Sequence, residues 1–238
     1  MTDREFVEKI DFSFEITGNE TGIRIQPFID ADIGCSRTLV ASFQVDSLEM
    51  IESARIPLSP ECTHVPFQQT VRIVKPLLWN PRGYGIPSLY KFTVAFHQKG
   101  APFHLIEKQV GVHFMEICCK EKLFRINGKK VQLIRCEPDF AQKDVPQGLN
   151  SNGNLVFLND SDPELKQKME FCGRHGLIIA LELTGNDGRL ERLIRSPGIC
   201  LFTAAAGSGG EKSYQSWFRS GMPPFFTHDE LNSFVKDN

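Results

Sequence analysis

Apolar and polar residues take turns along most of the first half of the chain. In IDFSFEI (10–16), TLVASFQV (38–45), TVRIV (70–74), LYKFTVAF (89–96) and GVHFMEI (111–117) every second residue is apolar. On an extended strand Phe12, Phe14 and Ile16 then share one face, and Ser13 and Glu15 the other. Gly, Pro or Asp interrupts the pattern roughly every ten residues from Asp11 to Ile117, a spacing that predicts an antiparallel β-sandwich of about seven strands.

After Cys118 the texture changes. VQLIRC (131–136), NLVFL (154–158), LIIALEL (177–183) and ICLFTA (199–204) are continuous apolar runs, as expected of parallel strands covered on both faces. Between the second and third runs, DPELKQKMEFCGRH predicts a helix with Pro163 in its first turn and Leu165, Met169 and Phe171 on its buried side. Thr227-His-Asp-Glu230 has the form of a capping box leading into a second helix with Leu231, Phe234 and Val235 on one side. Asn127-Gly128, between Phe124 and Val131, predicts a tight two-residue hairpin, because both central positions need positive φ. Two domains follow: a β-sandwich over 1–118 and an α/β region over 119–238.

Composition narrows the function. Of 238 residues 41% are apolar, enough for a buried core, and 27 Lys and Arg nearly balance 29 Asp and Glu without forming a basic stripe, which argues against nucleic acid as a partner. No apolar leader opens the sequence and no run of about eighteen apolar residues crosses it, so no membrane is expected and the expected compartment is the cytoplasm. The seven cysteines are scattered without a C-x-x-C pair and are expected to be reduced and mostly buried. The six histidines form no H-x-H or H-x-x-x-H pair, so neither metal nor cofactor is expected.

The stretch 70–135 carries a motif series: Trp79-x-Pro81, Pro87-x-Leu89-Tyr90, Gly111-x-His113 and Phe124-x-x-Asn127-Gly128-Lys129. In order and spacing it resembles the passage from the immunoglobulin-like sandwich into the (β/α)8 barrel of family 2 glycoside hydrolases, the third position of Gly-x-Arg being His113 here. Trp79 and Tyr90 are expected to pack in the sandwich core or the interdomain seam rather than to stack on a ligand. The resemblance implies an incomplete TIM barrel for the second domain and locates the family's chemistry at the ends of its strands.

There the chain departs from the family. The polar ending of the first strand is replaced by Arg135-Cys136-Glu137-Pro138-Asp139, and the second keeps Asn154 and Val156 but has Phe157 and Asp160 where Arg and His stand in the family. The third keeps one carboxylate, Glu182. On the fourth, the family's Asn-Glu pair falls on Ala206 and Gly207, and the chain ends about 30 residues later, before a nucleophile strand. A retaining glycosidase needs two facing carboxyl groups. The expected function is thus that of a non-catalytic family 2-like protein that binds carbohydrate or protein, with Glu137, Asp139, Asp160 and Glu182 as candidate sugar-binding residues. An active β-glycosidase completed by a partner chain, or using Glu182, is the alternative.

GSGGEKS (207–213) lacks the Gly-Lys step of a phosphate-binding loop and is expected to be an ordinary loop. An incomplete barrel leaves an open apolar edge. Either Trp217, Phe218, Phe225 and Phe226 or a second chain, a partner or another copy, is expected to cover it.

Overall fold

The computed structural model describes residues 10–31, 33–46, 48–118, 121, 123–141, 153–183, 201–204 and 225–236. The chain divides into two compact units, Met1–Pro76 with Tyr90–Val110, and Leu77–Leu89 with Gly111–Asn238. The division is not a single cut at residue 118, because the arm Leu77–Leu89 and the segment from Gly111 onward both belong to the second unit.

In the first unit the alternating segments form strands β1 (Ile10–Asn19), β2 (Gly22–Ala31), β3 (Arg37–Val45), β4 (Glu49–Leu58), β5 (His64–Pro66), β6 (Val71–Val74), β7 (Tyr90–Gln98) and β8 (Ala101–Val110). β1, β5 and β6 pair antiparallel with β2. The second sheet runs β4-β3-β7-β8, also antiparallel. The alternation puts Phe12 and Phe14 of the first sheet and Phe43 and Phe92 of the second into one core. Phe12 meets Phe43 edge-on with ring centroids 6.2 Å apart, and Phe14 meets Phe92 likewise at 4.5 Å. This is a β-sandwich, and each buried Phe contributes roughly 1.5–3 kcal/mol. Tyr90 packs in this core beside Phe92.

The second unit begins with a small sheet of β9 (Met115–Cys118), β10 (Leu123–Ile126) and β11 (Lys129–Lys130). Its hairpin turns at Asn127 (φ 52°) and Gly128 (φ 71°), as the Asn-Gly pair predicts. There follow β12 (Leu133–Ile134), β13 (Leu155–Asn159), helix α1 (Leu165–His175), β14 (Ile178–Leu183), β15 (Leu201–Ala204), β16 (Phe225–Phe226), helix α2 (His228–Asn232) and β17 (Val235–Lys236). β13-β14-β15-β16 is parallel throughout, β17 runs parallel to β12, and a parallel bridge, Arg135 with Leu155, links β12 to β13.

Both faces of these strands are apolar and covered, which explains their unbroken hydrophobicity. On one face Val156, Leu158, Ile179, Leu181 and Phe202 pack with Phe171 and Cys172 of α1. On the other, the inner face, Leu133, Leu155, Ile178, Ala180 and Leu201 pack with Phe226 and Leu231. α1 begins later than predicted. Glu164 is its N-cap, and Pro163 stands before the helix because the Asp162 carboxylate accepts from the Glu164 N–H at 2.8 Å and closes a turn there. Gly176 ends it in the left-handed region (φ 69°), where a side chain would meet the Arg82 backbone nitrogen at 2.9 Å.

Among the described residues strands dominate, and α1 is the one helix that joins neighbouring parallel strands. The repeated strand-helix alternation of a barrel is thus seen once. No helix among the described residues is long and apolar enough to cross a membrane.

Candidate ligand site at the ends of the parallel strands

The arm of the second unit is fastened by the motif residues themselves. Trp79 donates its backbone N–H to the Val112 carbonyl (2.7 Å) and its indole N–H to the Gly173 carbonyl (2.8 Å). The Asn127 amide donates to the Trp79 carbonyl at 2.7 Å, and its oxygen accepts from the Phe114 N–H at 2.9 Å. Gly111 has to be glycine, since a Cβ there would lie 2.6 Å from the Trp79 ring. Trp79 is thus part of the second unit's core rather than of the sandwich. His113 lies against it with centroids 5.3 Å apart. Burial pushes the His113 imidazole below its ordinary value of 6.5, with a hydrogen bond to the Gly111 backbone opposing in part.

This scaffold holds a row of side chains at the C-terminal ends of the parallel strands. The register sets Asn159 of β13 beside Glu182 of β14, Glu182 beside Thr203 of β15, and Thr203 beside Phe226 of β16. The first three continue the inner face, because they follow Phe157, Ala180 and Leu201 at intervals of two, and Phe226 belongs to the core on that face. Asn159 and Glu182 are half-buried, whereas Thr203 is 0% exposed. No described residue makes a hydrogen bond to the Thr203 hydroxyl. The Asn159 side-chain oxygen accepts from the Ser161 N–H and hydroxyl (2.8 and 2.6 Å), so its NH2 group is what it can offer a ligand. At the flank of the row the Arg135 guanidinium lies 5.1 Å from the centre of the Phe157 ring.

The four predicted residues are dispersed. Glu182 is in the row. Asp160 adjoins it through its backbone N–H, donated to the Glu182 carbonyl at 3.0 Å, and lies in the turn that follows β13. Glu137 is 84% exposed, at 3.5 Å from Arg135, and the exposed Asp139 caps its own turn by accepting from the Ala141 N–H. Asn159, Thr203 and Arg135 were missed, although the two-residue period back from the apolar inner-face positions marks each of them. Ala206 and Gly207, Trp217 and Phe218, and the 207–213 loop lie outside the described residues.

Other chemistry is quiet. Among the described residues no group of three or more His, Cys, Asp or Glu is placed to hold a metal. The Cys136 thiol is pushed up by burial, against the opposing effects of Arg82 and the Leu155 carbonyl. A shallow concavity on the sandwich's outer face has its polar groups engaged with one another, Lys91 with Glu107 at 2.6 Å and Gln44 with the Asp46 carbonyl at 2.6 Å.

A β-sandwich joined in sequence to parallel strands of this arrangement is a fold like that of family 2 glycoside hydrolases. β-D-Mannosidase from Dictyoglomus thermophilum superposes with a TM-score of 0.58 over 97% of this chain and 37% of its own, at 16% identity. β-Glucuronidase 2 of Bacteroides uniformis gives 0.57 over 81% of this chain and 27% of its own, also at 16% identity. In sequence, β-mannosidase B of Aspergillus oryzae is 31% identical over 126 residues, 49% of this chain and 14% of the relative, so the match spans about one seventh of that enzyme's length. No protein-family model matches the sequence.

Proposed function

We propose that the chain is a glycoside hydrolase-like protein that binds a sugar at the Asn159–Glu182–Thr203 row without cleaving it. Its parallel strands are, on this reading, the opening strands of a (β/α)8 barrel, whose ligand face lies at their C-terminal ends. The strand register supports the non-catalytic part most directly. Glu182 has an amide and a hydroxyl as its neighbours on the inner face, whereas a retaining glycosidase sets a second carboxyl group about 5–5.5 Å away. Amide, carboxylate and hydroxyl together suit the hydroxyl groups of a pyranose, which both donate and accept. The sequence likeness to a β-mannosidase makes β-mannosides the first sugars to try. The exposed thiols of Cys35 and Cys62 suit a reducing cytoplasm.

The retained Glu182 favours the second reading, a β-glycosidase that draws its other carboxylate from a partner chain. Calorimetric titration with β-mannobiose, alongside assays with p-nitrophenyl β-mannoside, β-galactoside and β-glucuronide, separates the two. Binding that weakens at least about tenfold in Glu182→Gln, with no release of nitrophenol, is expected. Turnover abolished by that substitution would establish the enzyme instead, and no binding of any of these sugars would remove the sugar site.

A further inference from the structure

The segment Phe225–Lys236 supplies a strand to each flank of the parallel array: β16 beside β15, and β17 beside β12. Six strands laid flat, β17-β12-β13-β14-β15-β16, would set the outer two roughly 24 Å apart at about 4.8 Å per strand. The link between them cannot reach that far. It contains α2, which advances only about 1.5 Å per residue, and a turn in which the Ser233 and Phe234 N–H groups fold back onto the Asp229, Glu230 and Leu231 carbonyls. The array must therefore curl, with the segment lying as a strap across its concave inner face. Leu231, buried to 1% exposure among Ile178, Ala180 and Leu201, agrees with that placement.

The strap is internally complete and, among its described side chains, only Phe226 and Leu231 are buried. Its helix is closed by a full capping box, with the Thr227 hydroxyl accepting from the Glu230 N–H and the Glu230 carboxylate accepting from the Thr227 N–H. Among the described residues its ties to the array are two strands of two residues each, with Phe226 and Leu231 as buried anchors and Phe234 and Val235 partly buried against the same core. β14, by contrast, is paired on both sides and five of its six residues are buried. Segments with few buried contacts open locally at lower free energy than the core around them. Beside the β16 end, next to Phe226 in the sheet, lies Thr203, its hydroxyl fully enclosed and lacking a hydrogen-bond partner among the described residues.

We propose that the strap is a cover that opens at its β16 end while the parallel array stays folded, baring Thr203 beside Glu182. Its regulatory consequence rests on the sugar-site reading above: the row is complete for a ligand only when Phe226 has moved aside. The opening gives the enclosed hydroxyl a partner, in water or in a ligand, which favours the open state once sugar is present.

The test uses Thr203→Cys in the full chain, alkylated with iodoacetamide and read by peptide mass spectrometry. Cys172, a wholly buried residue of α1 packed on the opposite face, is the control within the same molecule. Alkylation at position 203 is expected at least about tenfold faster than at Cys172, and faster again when Leu231→Ala is added, with the Cys172 rate unchanged. Equal rates at the two positions would overturn the cover. Should Thr203→Cys not fold, hydrogen exchange of the unaltered protein makes the same comparison, between the Leu231 and Phe234 amides of the strap and the Ile178 amide of β14; equal protection again overturns it. β-Mannobiose titration of Leu231→Ala separates the two claims. Affinity raised several-fold supports both, whereas fast alkylation without sugar binding leaves the cover standing and removes the sugar site.

Discussion

The sandwich and the parallel-strand unit bury similar side chains by different means. In the sandwich the alternating strands turn one apolar face inward and the rings of Phe12, Phe14, Phe43 and Phe92 interlock, while the outward positions are mixed, with Met50, Val74, Phe103 and Leu105 exposed among polar residues. In the second unit the strands are apolar on both faces, and specificity comes from polar groups that join distant segments, chiefly Asn127 and the Trp79 indole. Non-directional burial is enough to shape a sandwich, because alternation already says which side is in. Strands that are apolar all round need directional bonds to say which face meets which segment.

The largest expected effect is in the sandwich. Phe43→Ala removes a fully buried ring that touches Phe12, Phe67 and Phe92, and should cost about 3–5 kcal/mol in urea denaturation. A loss below about 1 kcal/mol would mean that this core closes over the gap. Next is Asn127→Ala, which removes three side-chain hydrogen bonds and places a Cβ-bearing residue without Asn's tolerance at φ 52°. It should cost about 2–3 kcal/mol, lowering amide protection in β10 while leaving that of β3 and β7 unchanged. Asn127→Gly restores the turn but not the bonds, so a full rescue by glycine would show that the bonds contribute nothing.

Thr227→Ala opens the capping box of α2 and should cost about 1 kcal/mol, seen as faster exchange of the Leu231 amide with Ile178 unaffected. The final contrast is in pH. Because the folded protein holds His113 below 6.5, the unfolded chain takes up a proton first as pH falls. The stability that His113 confers by staying neutral is complete above about pH 6.5 and is lost on acidification until the folded-state value is reached. Thermal unfolding from pH 7.5 down to 5 should show this fall, and His113→Gln should flatten it; an unchanged slope in the variant would assign the fall to other groups.

How much was legible varied with the kind of signal. The alternating segments and the Asn127-Gly128 turn are local, so their readings carried over to β1, β3, β6, β7 and the β10–β11 hairpin. Pro163 was placed in the first turn of its helix and stands one residue before the N-cap, because the preference for proline in a first turn does not say whether Asp162 will close a turn ahead of it. Trp79 was expected in the sandwich or at a seam and lies in the core of the second unit. The partner of its indole is a carbonyl 94 residues away, which no local pattern can indicate. Among the candidate site residues, charge drew attention to Glu137 and Asp139, which are exposed, and away from Asn159 and Thr203, which are neutral and aligned with Glu182.

The sequence by itself determined which residues are extended, which face of each sandwich strand is apolar, and where the turn and the capping box must fall. These depend on side-chain periods of 2 and 3.6 and on the φ preferences of single residues. Only the tertiary structure decided that β16 and β17 flank opposite ends of one parallel array and that Asn159, Glu182 and Thr203 stand side by side. Strand order and register arise from which apolar faces bury each other best across long stretches of chain, and that choice is made by packing rather than by neighbours in sequence.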